Sequence, residues 1–173
     1  MDPSQAGLAA IGAGLAVGLA GIGAGLGEQA IGAAAVGAMA EEDTCDGKNI
    51  SPALSWTGVP KDTKNIVLIM DDPDTTFVHW VLFNIPVIKN RLSVAISKNG
   101  ILNDGGIQGT NDFGYVGYGG PCPPSGKPHK YYFRIYALDK ILDLSPGISR
   151  KDVDNAMKGH ILAKGELFGI YGG

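Results

Sequence analysis

Apolar residues run almost unbroken through the first quarter of the chain, then give way to short runs separated by turn residues. From Ala6 to Ala40 only Glu28 and Gln29 carry polar side chains. Such a run exceeds the about 20 residues that a helix needs to cross a bilayer. As a helix it would be on the order of 50 Å long. Beyond Thr44 the pattern becomes that of strands. Ile66–Met70 is a continuous apolar run of the kind that forms a buried strand. Phe77–Ile85 is rich in aromatic and β-branched residues, and alternation puts Phe77, His79, Val81 and Phe83 on one face. Tyr131–Leu138 reads as a third strand and Glu166–Tyr171 as a short last one. Turn chemistry at Asp72-Pro73-Asp74, Asn99-Gly100, Asp104-Gly105-Gly106 and Gly117–Pro128 separates them. One helix is predicted near the end: Ser149 caps it with Asp152 three residues on, and Val153, Met157 and Ile161 follow at every fourth position. The pattern predicts one long Gly/Ala-rich helix over 1–43 and a mainly β domain over 44–173.

Within the apolar arm, Gly7, Gly14, Gly18, Gly21, Gly25 and Gly32 recur at spacings of 7, 4, 3, 4 and 7, which places them on one helical stripe. Small residues so spaced let helix backbones approach closely in lipid, so Gly14, Gly18, Gly21 and Gly25 are the candidate helix-packing residues. Glu28 is costly in lipid and marks a partner or an ion path. A signal peptide is a rival reading, because Ala38-Met39-Ala40 has the small residues of a cleavage site. Against it, the first five residues carry no positive charge and the run is far longer than a signal peptide core. A flexible Gly/Ala tail fits poorly with the regularly placed Leu, Ile and Val residues. Residues 6–42 resemble the first transmembrane helix of the proteolipid (c or K) rotor subunit of archaeal-type ATP synthases. That resemblance implies a fusion or chimera, with membrane or partner helices contacting residues 6–40. The second helix that bears the ion-carrying carboxylate in that family has no counterpart here.

Charge sharpens the division. Residues 1–47 hold six acidic side chains and no basic one, whereas residues 48–173 hold 14 basic and 11 acidic side chains. The net charge of −3 speaks against a nucleic-acid partner bound through a blanket of Lys and Arg. Cys45 and Cys122 are too few for a disulfide-built scaffold and fit no zinc-binding spacing.

Polar groups able to do chemistry fall in three places. Asp71, Asp72 and Asp74 surround Pro73 at a predicted strand end, and His79 lies in the next strand. The Gly/Pro loop from Gly119 leads to His129 and Tyr131. Gly lets backbone approach a ligand closely, and Pro stiffens the loop so that less order is lost on binding. A charged His can hold an anion when a carboxylate supports it. The two histidines could thus face a phosphate or carboxylate, with Asp72 and Asp74 orienting them. Structural turns and hydrogen-bonded histidines are the plainer alternative. A metal site has no recognisable ligand spacing. Cys122 sits between two prolines with no base nearby in sequence, and no G-x-S-x-G occurs. Asp112-Phe113-Gly114 lacks the companion motifs of a kinase.

CDGKNISPALSW, IMDDPDTTFVHWVLFNIP, GTNDFGYVGYGGPCPPSGKPHKYYFRIYALD and GHILAKGELFGIY resemble the phosphatidylethanolamine-binding protein family, in its bacterial and archaeal branch, over residues 44–171. The resemblance implies a β-sandwich with peripheral helices and a small pocket for phosphate-like anions. Its DPD motif gives Asp72 and Asp74, its HW motif His79, and its GPCPPSG motif Gly120, Pro121, His129 and Tyr131 as ligand-binding residues. Two departures stand out. The Ala-Pro that usually follows DPD is Thr75-Thr76, and the family's opening strand is replaced by the rotor-like arm.

The function expected is therefore binding of a phosphate-like anion or phospholipid head group, without catalysis, metal or cofactor. The family resemblance adds a kinase or protease as a possible regulatory partner. A rotor-ring component and a hydrolase or metal-dependent enzyme using His79, His129 and the aspartates are the rivals. The expected location is a membrane anchor with the globular part cytoplasmic, or the cytoplasm if the mature protein lacks the helix.

Overall fold

The computed structural model describes residues 29–30, 32–33 and 39–172. Among these residues nine strands and one α-helix follow in chain order: β1 (Gln29–Ala30), β2 (Gly32–Ala33), β3 (Leu54–Thr57), β4 (Asn65–Asp72), β5 (Phe77–Ile85), β6 (Arg91–Leu92), β7 (Ile107–Gln108), β8 (His129–Leu138), α1 (Arg150–Met157) and β9 (Ile161–Tyr171). One sheet has six strands in the order β1-β9-β8-β4-β5-β7, the other three in the order β2-β3-β6. All pairings are antiparallel except that of β1 with β9. The expected mainly β sandwich with a peripheral helix is what forms.

β4 lies at the centre and is buried along its whole length. Its continuous apolar run follows from having both faces covered. Ile66, Leu68 and Met70 enter the core shared with Leu54, Trp56 and Leu92 of the small sheet. Val67 and Ile69 face the other way, onto Leu142 and onto Val153 and Met157 of α1. The helix begins as expected, with Ser149 and Asp152 forming a reciprocal cap. It stops at Met157, and Gly159 turns the chain with φ of +77°. Ile161 consequently opens β9 instead of extending the helical stripe.

The alternation expected in β5 also breaks. Met70 pairs with Trp80 but Asp71 with Val78, so His79 is the extra residue of a β-bulge. Val81 and Phe83 join the cluster under α1, while Trp80 and Leu82 enter the inter-sheet core. A bulge re-aims a side chain next to it, and here the residue re-aimed is His79.

The largest correction concerns the apolar arm. Residues 29–30 pair with Ala163 and Lys164, and residues 32–33 pair with Thr57 and Trp56, all within the stretch expected to be one helix. Met39, near the end of that stretch, is buried in the inter-sheet core and donates its N–H to Ile170 O at 3.1 Å. A single membrane-type helix over 6–40 is therefore excluded: residues 29–30, 32–33 and Met39 belong to the sandwich. The packing stripe of Gly14, Gly18, Gly21 and Gly25 lies outside the described residues. Among the described residues no helix is long and apolar enough to cross a membrane.

Candidate anion site

The end of β4, the start of β5 and the start of β8 meet at one end of the six-stranded sheet. They enclose a cavity of about 170 Å³, lined among others by Asp72, Thr75, His79, His129 and Tyr131. Four of the seven residues singled out from sequence thus converge on it.

Asp72 is the anchor. Its Oδ2 accepts from His129 Nδ1 at 2.7 Å and from Thr75 Oγ1 at 2.9 Å, and its Oδ1 accepts from Asp74 N–H at 2.9 Å. Burial alone would push this carboxyl up. The hydrogen bonds from His129, Thr75 and Asp74 outweigh it and hold Asp72 below the usual carboxylate value. Thr75 therefore does more than fill the place of the family's Ala-Pro: its hydroxyl braces the carboxylate. Asp74 itself is exposed and contributes through its backbone.

His79 stands across the cavity, with its ring 5.1 Å from that of Tyr131. Its Nδ1 lies 2.8 Å from Gly119 O. A carbonyl oxygen only accepts, so Nδ1 carries the proton and the lone pair of the neutral ring is on Nε2. Burial lowers the His79 pKa, against the carbonyls of Gly119 and Gly120 and the charges of Asp72 and Asp112. Tyr131 is 1% exposed. Burial first, then the charges of Asp72 and Asp74, raise its phenol well above the ordinary value, so it stays a donor. Phe77 and Phe113 close another wall, their rings 4.7 Å apart, with Phe113 40% exposed at the surface.

Gly120 and Pro121 support the loop from behind. Gly120 N–H donates to Asn49 Oδ1 at 2.8 Å, and a Cβ on Gly120 would stand 2.3 Å from Asp43 O. Pro121 O accepts from Cys45 N–H at 3.0 Å. Cys122 is joined to Cys45 by a disulfide, which removes it as a nucleophile. The wall residues Phe77, Phe113, Pro123 and Pro124 were not singled out from sequence, since an aromatic or proline carries no signal separating lining from core.

Asp72, Asp74 and His129 have ligand-type atoms within 4.8 Å of one another. Asp72 is already bonded to three protons in this cluster, and we assign no metal to it. A larger recess of about 840 Å³ lies beyond Pro123 and Pro124, with Asp46 as its carboxylate. Tyr171 Oη already donates to Asp46 at 2.6 Å, and among the described residues no histidine lines that recess.

The profile described as phosphatidylethanolamine-binding protein matches residues 32–172. A UPF0098 protein of Methanothermobacter thermautotrophicus is 52% identical over 138 residues, covering 78% of this chain and 91% of the relative. A UPF0098 protein of Aquifex aeolicus is 52% identical over 134 residues, 74% of this chain and 77% of its own. The crystal structure of a phosphatidylethanolamine-binding protein homologue from Chlamydia trachomatis matches with a TM-score of 0.74 at 33% identity, over 84% of this chain and 99% of that one. Escherichia coli YbcL matches with a TM-score of 0.75 at 32% identity, over 84% and 98%. The profile begins at residue 32, inside the stretch that resembles a rotor helix, which agrees with the strands at 29–33. The rotor-subunit, proteolipid and fusion readings are overturned together. From its second strand to its last, the chain belongs to the phosphatidylethanolamine-binding protein family.

Proposed function

We propose that the cavity binds a small phosphate-type anion, either free or as a phospholipid head group, and that the protein acts by binding it without turnover. The observation that carries this reading is the convergence of His79, His129 and Tyr131 around the hydrogen-bonded Asp72 in a cavity of about 170 Å³. Four aromatic or imidazole rings (Phe77, His79, Phe113 and His129) and one phenol give a small, rigid, partly polar enclosure, as small-molecule sites usually have. Cys122 is held in a disulfide, and the Thr75 hydroxyl serves to brace Asp72. Membership of the phosphatidylethanolamine-binding protein family supports the same ligand class.

The test is an NMR titration of the full chain with O-phosphoethanolamine at about pH 6, near the second pKa of a phosphate ester. Saturable shifts at His79, His129 and the loop around Gly119 are expected. A well-dispersed spectrum with no shift at those residues would reject the assignment.

A further inference from the structure

The side-chain donors of the cavity are nearly all committed before a ligand arrives. His79 gives its Nδ1 proton to Gly119 O, His129 its Nδ1 proton to Asp72, and Thr75 its hydroxyl proton to Asp72. The amides of Gly119 and Gly120 donate to His79 O at 2.9 Å and to Asn49 Oδ1 at 2.8 Å. Pro123 and Pro124 have no N–H to offer. Among the side chains the hydroxyl of Tyr131 remains, with no hydrogen bond to another described residue. Opposite it are the Asp72 carboxylate and, while each ring carries one proton, two Nε2 lone pairs. The charges facing the histidines are also of one sign. Asp72 and Asp112 act on His79, and Asp72 and Asp74 lie beside His129. Among the described residues no Lys or Arg lines the cavity.

A fully deprotonated oxyanion would meet one side-chain donor among several acceptors, and a buried lone pair facing another lone pair is left unsatisfied. We propose that the cavity selects an oxyanion that brings its own proton, so that the bound species is the singly protonated phosphate monoester. Its P–O–H donates to the Nε2 of a histidine, and its remaining oxygens accept from Tyr131 Oη. This rests on the reading of the cavity as an anion site and narrows the ligand class within it. Burial of His79 acts in the same direction, since it keeps that ring an acceptor near neutrality.

Two esters separate the alternatives. O-phosphoethanolamine has a titratable O–H with a pKa of about 6. 2-Aminoethyl hydrogen sulfate has the same ammonium and a tetrahedral monoanion, but no proton to give at these pH values. Calorimetric titration of the full chain between about pH 6 and 8 should show phosphate-ester affinity falling about tenfold per pH unit above the ester pKa. The sulfate ester should bind at least about fivefold more weakly at about pH 6, where half of the phosphate ester carries the proton and one good hydrogen bond, about tenfold, is missing from the sulfate. Equal affinity of the two esters, or phosphate-ester affinity constant over the range, overturns the proton requirement and leaves the anion site standing. Binding of neither ester at any pH removes the anion site itself.

Discussion

His129 reaches across 57 residues of sequence to donate from Nδ1 to Asp72 Oδ2 at 2.7 Å, tying the head of β8 to the end of β4. The aspartate is depressed in pKa, so the stability it contributes is complete above its unfolded value of about 3.9. That contribution is lost as pH falls through the lower folded value. Asp72→Asn should cost about 2 kcal/mol near neutrality, the scale of a broken charge-assisted hydrogen bond. Urea denaturation from about pH 6 to 3 should show the gap to wild type closing only below about pH 4. A gap already closed at pH 6 contradicts the role given to the carboxylate.

His79 acts in the same sense but in a higher pH window. Its folded pKa lies below the unfolded value of about 6.5, so the unfolded chain takes up the proton first on acidification. Stability from this group is intact above about pH 6.5 and declines below it until the folded ring also protonates. The Cε1–H resonance of His79 in the ligand-free protein should titrate with a midpoint below 6.5. A midpoint above that value contradicts the buried neutral ring.

Thr76 occupies a left-handed conformation, with φ of +59°, in the turn joining β4 to β5. A β-branched residue is strained there, whereas Asn tolerates that region. Its hydroxyl bonds only to the carbonyl of Thr75 at an exposed position. Thr76→Asn should raise stability by about 0.5–1 kcal/mol, visible as a higher thermal midpoint with unchanged ligand affinity.

Gly120 has no room for a side chain, because Asp43 O and Thr44 Cα are backbone neighbours that a methyl group would strike. Gly120→Ala should destabilise by about 2–3 kcal/mol, as overpacking does. Equilibrium denaturation checks this directly, and an unchanged midpoint contradicts the close packing.

The Cys45–Cys122 disulfide closes a sequence separation of 77 residues. In the chain-entropy account a closure of this size is worth about 4.5 kcal/mol. The double variant Cys45→Ser, Cys122→Ser should lose that amount in urea denaturation. Wild type under a strong reductant should move to the same midpoint.

Much of the six-stranded sheet was legible because its strands announce themselves locally. β4 is an apolar run, β5 and β8 are aromatic and β-branched, and turn residues bracket all three. Asp72, His79, His129 and Tyr131 were legible as a set through the family motifs. The bulge at His79 was not, since it exists only in the register of β5 against β4, and periodicity counted along one strand cannot contain it. β1 and β2 were missed for a related reason. Two-residue strands built of Gly, Ala and Gln have no period, and in a long run of small apolar residues the helical stripe dominates. The bracing hydroxyl of Thr75 is a turn contact that only the three-dimensional fold of residues 72–77 creates.

Asp72 is the last residue of a strand covered on both faces, whereas the proline wall opposite it hangs on a loop held by one disulfide and a few amide bonds. In hydrogen-exchange terms the two sides of the cavity belong to different cooperative units. The amides around Met70 and Asp71 should open only with the whole molecule, and those flanking Ser125 by local excursions. A ligand too large for the resting mouth would therefore enter by displacing Pro123 and Pro124, while the carboxylate and its histidine keep their places.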